Sequence, residues 1–206
     1  DSEVLSYVKT LQPDERRDEP APPVAVKSKA NNIRKTSGEP MREALYRVAG
    51  FDLTTIDGIG VDTATIVVSE LGIDLTKFPT ERNFISYLRL APNLSMSAGK
   101  KVRSKSKATT CTRVAAALRT AAISVRNSKS ALGAYYRRVA RKKGASVAVF
   151  ATARKLARLI YRMMRYGQAY VDVGAEAYEA RFNEKRFKYH SDILKTLGYK
   201  VRPMSP

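Results

Sequence analysis

Arg154-Lys155-Leu156-Ala157-Arg158-Leu159-Ile160-Tyr161-Arg162-Met163-Met164-Arg165 carries two periodicities at once. Arg154, Arg158, Arg162 and Arg165 advance by four, four and three residues, which at about 100° per residue confines them to an arc of about 80° on a helix. Val149, Leu156, Ile160 and Met163 fall on the opposite side. The spacing therefore predicts an amphipathic helix from Ser146 to Tyr166, closed by Gly167 as its C-cap, with one face packed and the other cationic. No acidic residue stands four positions from these arginines, so their mutual repulsion calls for a ligand to neutralise them. Tyr161 lies at the edge of the basic arc, placed either to stack on a sugar or base or to fill the core.

The cationic face belongs to a larger charge segregation. From Arg82 to Val171 the chain runs 90 residues without an Asp or Glu and carries 21 of its 38 Lys and Arg. The other 116 residues are close to neutral, so the formal charge of +19 sits in one segment. Ordinary surfaces intersperse both signs. A field of one sign attracts phosphate backbones at long range and releases counterions on binding, which points to nucleic acid.

Bulk properties bound the rest. At 206 residues and 44% hydrophobic, the chain can bury one core. The lone Cys111 excludes an internal disulfide framework, and a single histidine, His190, leaves no His-rich metal site. The longest small or apolar run, Ala145 to Ala153, is far short of the roughly 20 residues a membrane span needs.

Outward from the long helix, the fold reads as mainly α. Val4, Leu5, Val8 and Leu11 predict the end of an upstream helix over 1–11, in the manner of a coiled-coil spacer. Residues 12–40, rich in Pro, Lys, Ser and Asn, predict a disordered linker. A helical nucleic-acid-binding domain is expected over 41–171. It begins with a helix from Met41, a second over Val61–Leu71 stopped by Gly72, and a short third capped by Thr80. Leu90–Thr110 predicts a long basic loop or irregular hairpin. Helices over Cys111–Asn127 and from Ser130 to Gly144 follow, and a helical tail from Gly174 to about Leu197 lies within 172–206.

Two features could carry chemistry. Ile56-Asp57-Gly58-Ile59-Gly60 between two helices has the form of a helix-hairpin-helix turn, in which Gly58 and Gly60 let the backbone turn tightly and present amides to a phosphate. The alternative is a plain glycine connection, and the carboxylate of Asp57 opposes phosphate. The second is Ser95-Met96-Ser97-Ala98-Gly99-Lys100-Lys101-Val102-Arg103-Ser104-Lys105-Ser106-Lys107, where serines beside small residues precede Lys100, Lys101, Arg103, Lys105 and Lys107. A serine hydroxyl attacks phosphorus only if its proton is removed and cations absorb the developing charge. The cations here suit the second task, and nothing adjacent in sequence performs the first.

Leu90-Ala91-Pro92, four further residues, then Ser97-Ala98-Gly99-Lys100 resembles the signature of the C-terminal transposase domain of insertion-sequence transposases that pair a RuvC-like nuclease domain with a catalytic serine, the bridge-RNA-guided recombinases. Thr55–Ile59, Ser130–Arg138 and the stretch from Lys155 to Asp172 are similar to corresponding parts of one branch of that family, so the resemblance covers most of 45–185. It implies that Ser97, five residues after Pro92, is the nucleophile that holds a DNA strand as a phosphoserine ester, and that Ser95 is not. It also implies duplex DNA and a structured guide RNA as partners, a homo-oligomeric full-length enzyme, and a prokaryotic, cytoplasmic, nucleoid-associated setting without a membrane. The family's Mg²⁺-binding carboxylates belong to the N-terminal domain, so this chain is expected to bind no metal itself and to be an inactive fragment alone. The chain departs from the pattern at Arg89, where a glycine is usual, and at Ala98, which replaces a glycine. Without the resemblance, the residues also fit a non-catalytic helix-hairpin-helix nucleic-acid-binding module, and less well a basic structural protein of a ribonucleoprotein or membrane surface.

Overall fold

The computed structural model describes residues 38–91 and 113–199, Glu3 and Ser6, and the backbone of 95–97 and 100–102. Most of the expected upstream helix and linker therefore lies outside the described residues, although Glu3 and Ser6 are themselves helical. The architecture is mainly α. The order is α1 (Glu39–Ala49), a 3₁₀ turn (Leu53–Thr55), α2 (Val61–Leu71), α3 (Glu81–Tyr87), β1 (Ser95–Ser97), β2 (Lys100–Val102), α4 (Arg113–Ser124), a second 3₁₀ turn (Val125–Asn127), α5 (Ala131–Lys143), α6 (Ala145–Tyr166) and α7 (Gly174–Thr196). α1 starts two residues before the expected Met41, because Gly38 serves as its N-cap and Pro40 fits the first turn, where an N–H has no helical partner.

α6 is the central element. It packs against α3, α4 and α5, while α2 bridges α4 and α1. Its buried Ala148, Ala151, Ala153 and Ala157 bring neighbouring backbones close, and Leu156, Ile160, Tyr161 and Met163 fill the space between. One core unites Ala153, Leu156, Ala157, Ile160, Tyr161 and Met163 with Ile56, Ile59, Val67, Leu75, Phe84, Leu88, Val114, Leu118 and Val125. Burying a large apolar side chain contributes about 1.5–3 kcal/mol, so the helices are held chiefly by this cluster. Tyr161 is fully buried, and its hydroxyl donates to the Phe78 carbonyl at 2.8 Å. The stacking alternative for Tyr161 is overturned by that burial.

Caps fall where the sequence places them. Thr80 accepts the amide of Asn83 at 3.2 Å and Ser130 that of Gly133 at 3.1 Å. Gly144, at φ +88, both ends α5 and starts α6, so the two helices meet at one residue. Gly167, at φ +63, closes α6 with its amide on the Met163 carbonyl at 2.9 Å, and the Gln168 amide reaches Arg162 at 3.3 Å.

A buried ion pair fixes the corner after α1. Arg42, 3% exposed, donates to Asp52 from Nε at 2.9 Å and from Nη2 at 2.6 Å. Asp52 in turn accepts the Thr54 amide at 2.8 Å and hydroxyl at 2.6 Å, which caps the first 3₁₀ turn. Both partners are hydrogen-bonded, as a buried charge requires.

Arg89 is the one non-glycine residue with positive φ, +54°, among the described residues. This is the position at which the resembled family usually has glycine, and a left-handed backbone explains that preference. Within the expected loop, β1 and β2 form an antiparallel pair with Ser97 opposite Lys100 and Ser95 opposite Val102. Arg103, Lys105 and Lys107 lie outside the described residues.

Candidate nucleic-acid interface

α6 brings Arg154, Arg158 and Arg162 into one open groove, whose other walls are α5 and α7. Tyr135 and Arg138 come from α5, Lys155 from α6, and Tyr178 from α7. The arginines are not left to repel one another. Glu81, in the first turn of α3, pairs with Arg158 at 2.8 Å and also with the Nε of Arg162. The expectation that only a ligand could neutralise the row is therefore corrected, since a carboxylate from a distant helix bridges two of its members. Arg165 stands apart and exposed in the last turn of α6, where it suits the negative end of the helix dipole. The Asp74 carboxyl is held below its ordinary range, first by the Thr76 hydroxyl and amide and in smaller part by Arg165.

The deeper end of the groove holds its cations differently. The guanidinium of Arg138 lies 3.8 Å from the Phe182 ring centroid, 4.9 Å from that of Tyr178 and 5.6 Å from that of Tyr135. Lys155 Nζ lies 4.5 Å from Tyr135 and 5.2 Å from Tyr178. Among the described residues, neither Arg138, Lys155 nor Arg154 has a carboxylate partner. Burial, followed by the positive charges of Arg138 and Arg158, pushes the Lys155 ammonium below its ordinary pKa. Arg138 Nη1 is buried without a hydrogen-bond partner among the described residues. Crowded cations and an unused donor give the groove the chemistry to accept an anion.

At φ +86, Gly58 presses against α4 and the second 3₁₀ turn, where a Cβ would come within 2.9 Å of the Ala121 carbonyl and 2.4 Å of Val125 Cγ1. Its glycine serves close packing. Gly60 caps α2 with open space around it, and the Ile59 amide is consumed by the Ile56 carbonyl at 3.1 Å. Asp57 faces inward, accepting the hydroxyls of Ser128 at 2.8 Å and Ser130.

Lys100 and Lys101 belong to β2 and Ser97 ends β1. Sequence reasoning missed Tyr135, Arg138, Lys155 and Tyr178. The available signal was the helical spacing of Tyr135, Arg138, Arg141 and Lys142 inside the acid-free segment. No helix among the described residues is long and apolar enough to cross a membrane, and none of their His, Cys, Asp and Glu side chains cluster as a metal site would require.

Residues 52–137 match the family described as Transposase IS116/IS110/IS902. No curated protein and no solved structure matches the chain. The match supports a transposase-type domain across the glycine turn, the Ser97 hairpin and the first half of α5.

Proposed function

We propose that this chain is the strand-transfer part of an insertion-sequence transposase, which grips DNA and a structured guide RNA and supplies Ser97 as nucleophile. The observation that carries the reading is the family match over 52–137, which spans Ser97 and lies largely in the segment free of carboxylates. In this reading the Ser97 Oγ–P bond forms as the O3′–P bond breaks, leaving a 5′-phosphoserine ester and a free 3′-hydroxyl. Lysines beside the hairpin offset the charge that develops on the phosphoryl oxygens. Lys100, opposite Ser97 across the strand pair, is the nearest in register. The hydroxyl proton needs an acceptor, which this reading assigns to a separate RuvC-like domain with Mg²⁺-binding carboxylates. The described residues offer no such cluster, and no step is routed through a metal held by this chain.

The test replaces Ser97 with Ala in the full-length enzyme. Loss of recombination and of the covalent protein–DNA adduct, with duplex binding within about twofold of wild type, is the expected result. Normal recombination by that variant would refute the assignment, and Ser95→Ala serves as the control that stays active.

A further inference from the structure

We infer that the groove between α5, α6 and α7 binds a single nucleic-acid strand with its bases turned out, and does not bind the side of an intact duplex; this rests on the nucleic-acid reading above. Three observations carry it. First, the cations at its deep end are positioned by aromatic rings instead of carboxylates. A ring orients a guanidinium or ammonium without cancelling its charge, so Arg138 and Lys155 remain free to meet a phosphate. At the Glu81 end the same groove has its charge already compensated. Second, the rings themselves line the groove, Tyr135 contributed by α5 and Tyr178 by α7. A base can use such a surface only when it is unstacked, because in a duplex both of its faces are covered. Third, the open groove, about 510 Å³, is concave and walled by three helices, whereas duplex recognition works through an exposed ridge or helix entering a groove about 12 Å wide.

The lowered pKa of Lys155 agrees with this placement. Its causes are burial and two neighbouring cations, and a bound phosphate would offset both of those positive neighbours. α7 supplies the outer wall. It packs on α5 without burying any residue of its own, so the wall is retained by Tyr178 and Phe182 around Arg138.

The experiment measures binding of the chain to four fluorescent probes: oligo-dT and oligo-U of about twelve nucleotides, an abasic strand of equal length, and a duplex. Tyr178→Leu keeps an apolar contact and removes the ring. Stacking of one base is worth roughly 5- to 150-fold in affinity. Wild type should therefore prefer oligo-dT and oligo-U to the abasic strand by about tenfold or more, and Tyr178→Leu should abolish that preference while leaving the duplex unaffected. A dT-to-U ratio away from one assigns the occupant to DNA or to RNA. Equal binding of dT, U and abasic strands, or equal weakening of duplex and single strands by Tyr178→Leu, overturns the inference and leaves nucleic-acid binding intact. Failure of every probe to bind overturns the proposed function as well.

Discussion

The Asp57 carboxylate accepts the hydroxyl of Ser130, the N-cap of α5, from 73 residues earlier in the chain. This one contact joins the glycine turn after α1 to the helix that carries Arg138. Ser128 shares the same oxygen at 2.8 Å, and Asp172 caps α5 a second time by accepting the Ala131 amide at 3.0 Å. The start of α5 thus collects two carboxylates at the positive end of its dipole. Burial and the nearby Asp172 and Asp57 charges together push the Tyr170 hydroxyl above its ordinary pKa, so Tyr170 stays neutral beside them.

Asp57→Ala removes the charged acceptor of two hydroxyls and should destabilise the domain by about 2–3 kcal/mol. The corresponding fall in Tm is about 4–12 °C. Asp57→Asn retains one acceptor oxygen and should lose less. Calorimetry of the two variants checks the order, and an unchanged Tm for Asp57→Ala would show that the bridge is dispensable.

Gly58 and Gly60 separate packing from phosphate contact. Gly58→Ala forces a Cβ to within 2.4 Å of Val125 Cγ1 at φ +86, and should cost about 3 kcal/mol or more. Gly60→Ala meets open space and should cost less than about 1 kcal/mol. Urea unfolding reads both. If the turn also held phosphate through Gly60, its alanine variant would lose affinity at unchanged stability.

Arg89→Gly relieves a left-handed backbone that costs an ordinary side chain about 1–2 kcal/mol. Glycine returns part of this through its greater freedom when unfolded, so the expected gain is about 0.5–1 kcal/mol. A Tm rise of about 1–4 °C in the variant checks it. A fall would show that the contacts of the Arg89 side chain outweigh the strain.

Legibility followed the range over which each signal acts. Local chemistry was readable: Thr80 and Ser130 are caps, Gly144 and Gly167 are stops, and α6 buries the face that its spacing selects. Long-range polar pairing was not. No local pattern links Arg42 to Asp52 ten residues on, and only the fold reveals their buried pair. Glu81 sits one residue before the acid-free segment begins, yet its partners lie 77 and 81 positions further on, so no local pattern could pair them. The groove was half readable. The α6 arginines stood out because they share one helix. Arg138, Lys155 and Tyr178 belong to three helices, and their convergence depends on how α7 docks.

Glu81 also separates the two roles of the basic row. Its carboxylate holds Arg158 and Arg162, and it lies in the first turn of α3, where a negative charge favours the helix dipole. Glu81→Gln should therefore lower stability by about 0.5–1 kcal/mol, a modest loss because both arginines are nearly half exposed and water screens the pairs. The same change releases the two guanidinium groups, whose existing partner a phosphate must otherwise displace. Affinity for a single-stranded oligonucleotide, the occupant inferred for this groove, should rise by about two- to tenfold. With about six phosphates of a single strand engaged, log K falls against log salt with a slope of about −4, and Glu81→Gln should steepen it by about 1. Arg158→Glu combined with Arg162→Glu should weaken binding to every sequence alike and flatten the slope, because phosphate contacts position a protein without reading bases. Opposite signs in stability and affinity for Glu81→Gln are the diagnostic outcome. A loss of both would mean that Glu81 matters only to the fold and that the arginines it holds do not meet the nucleic acid.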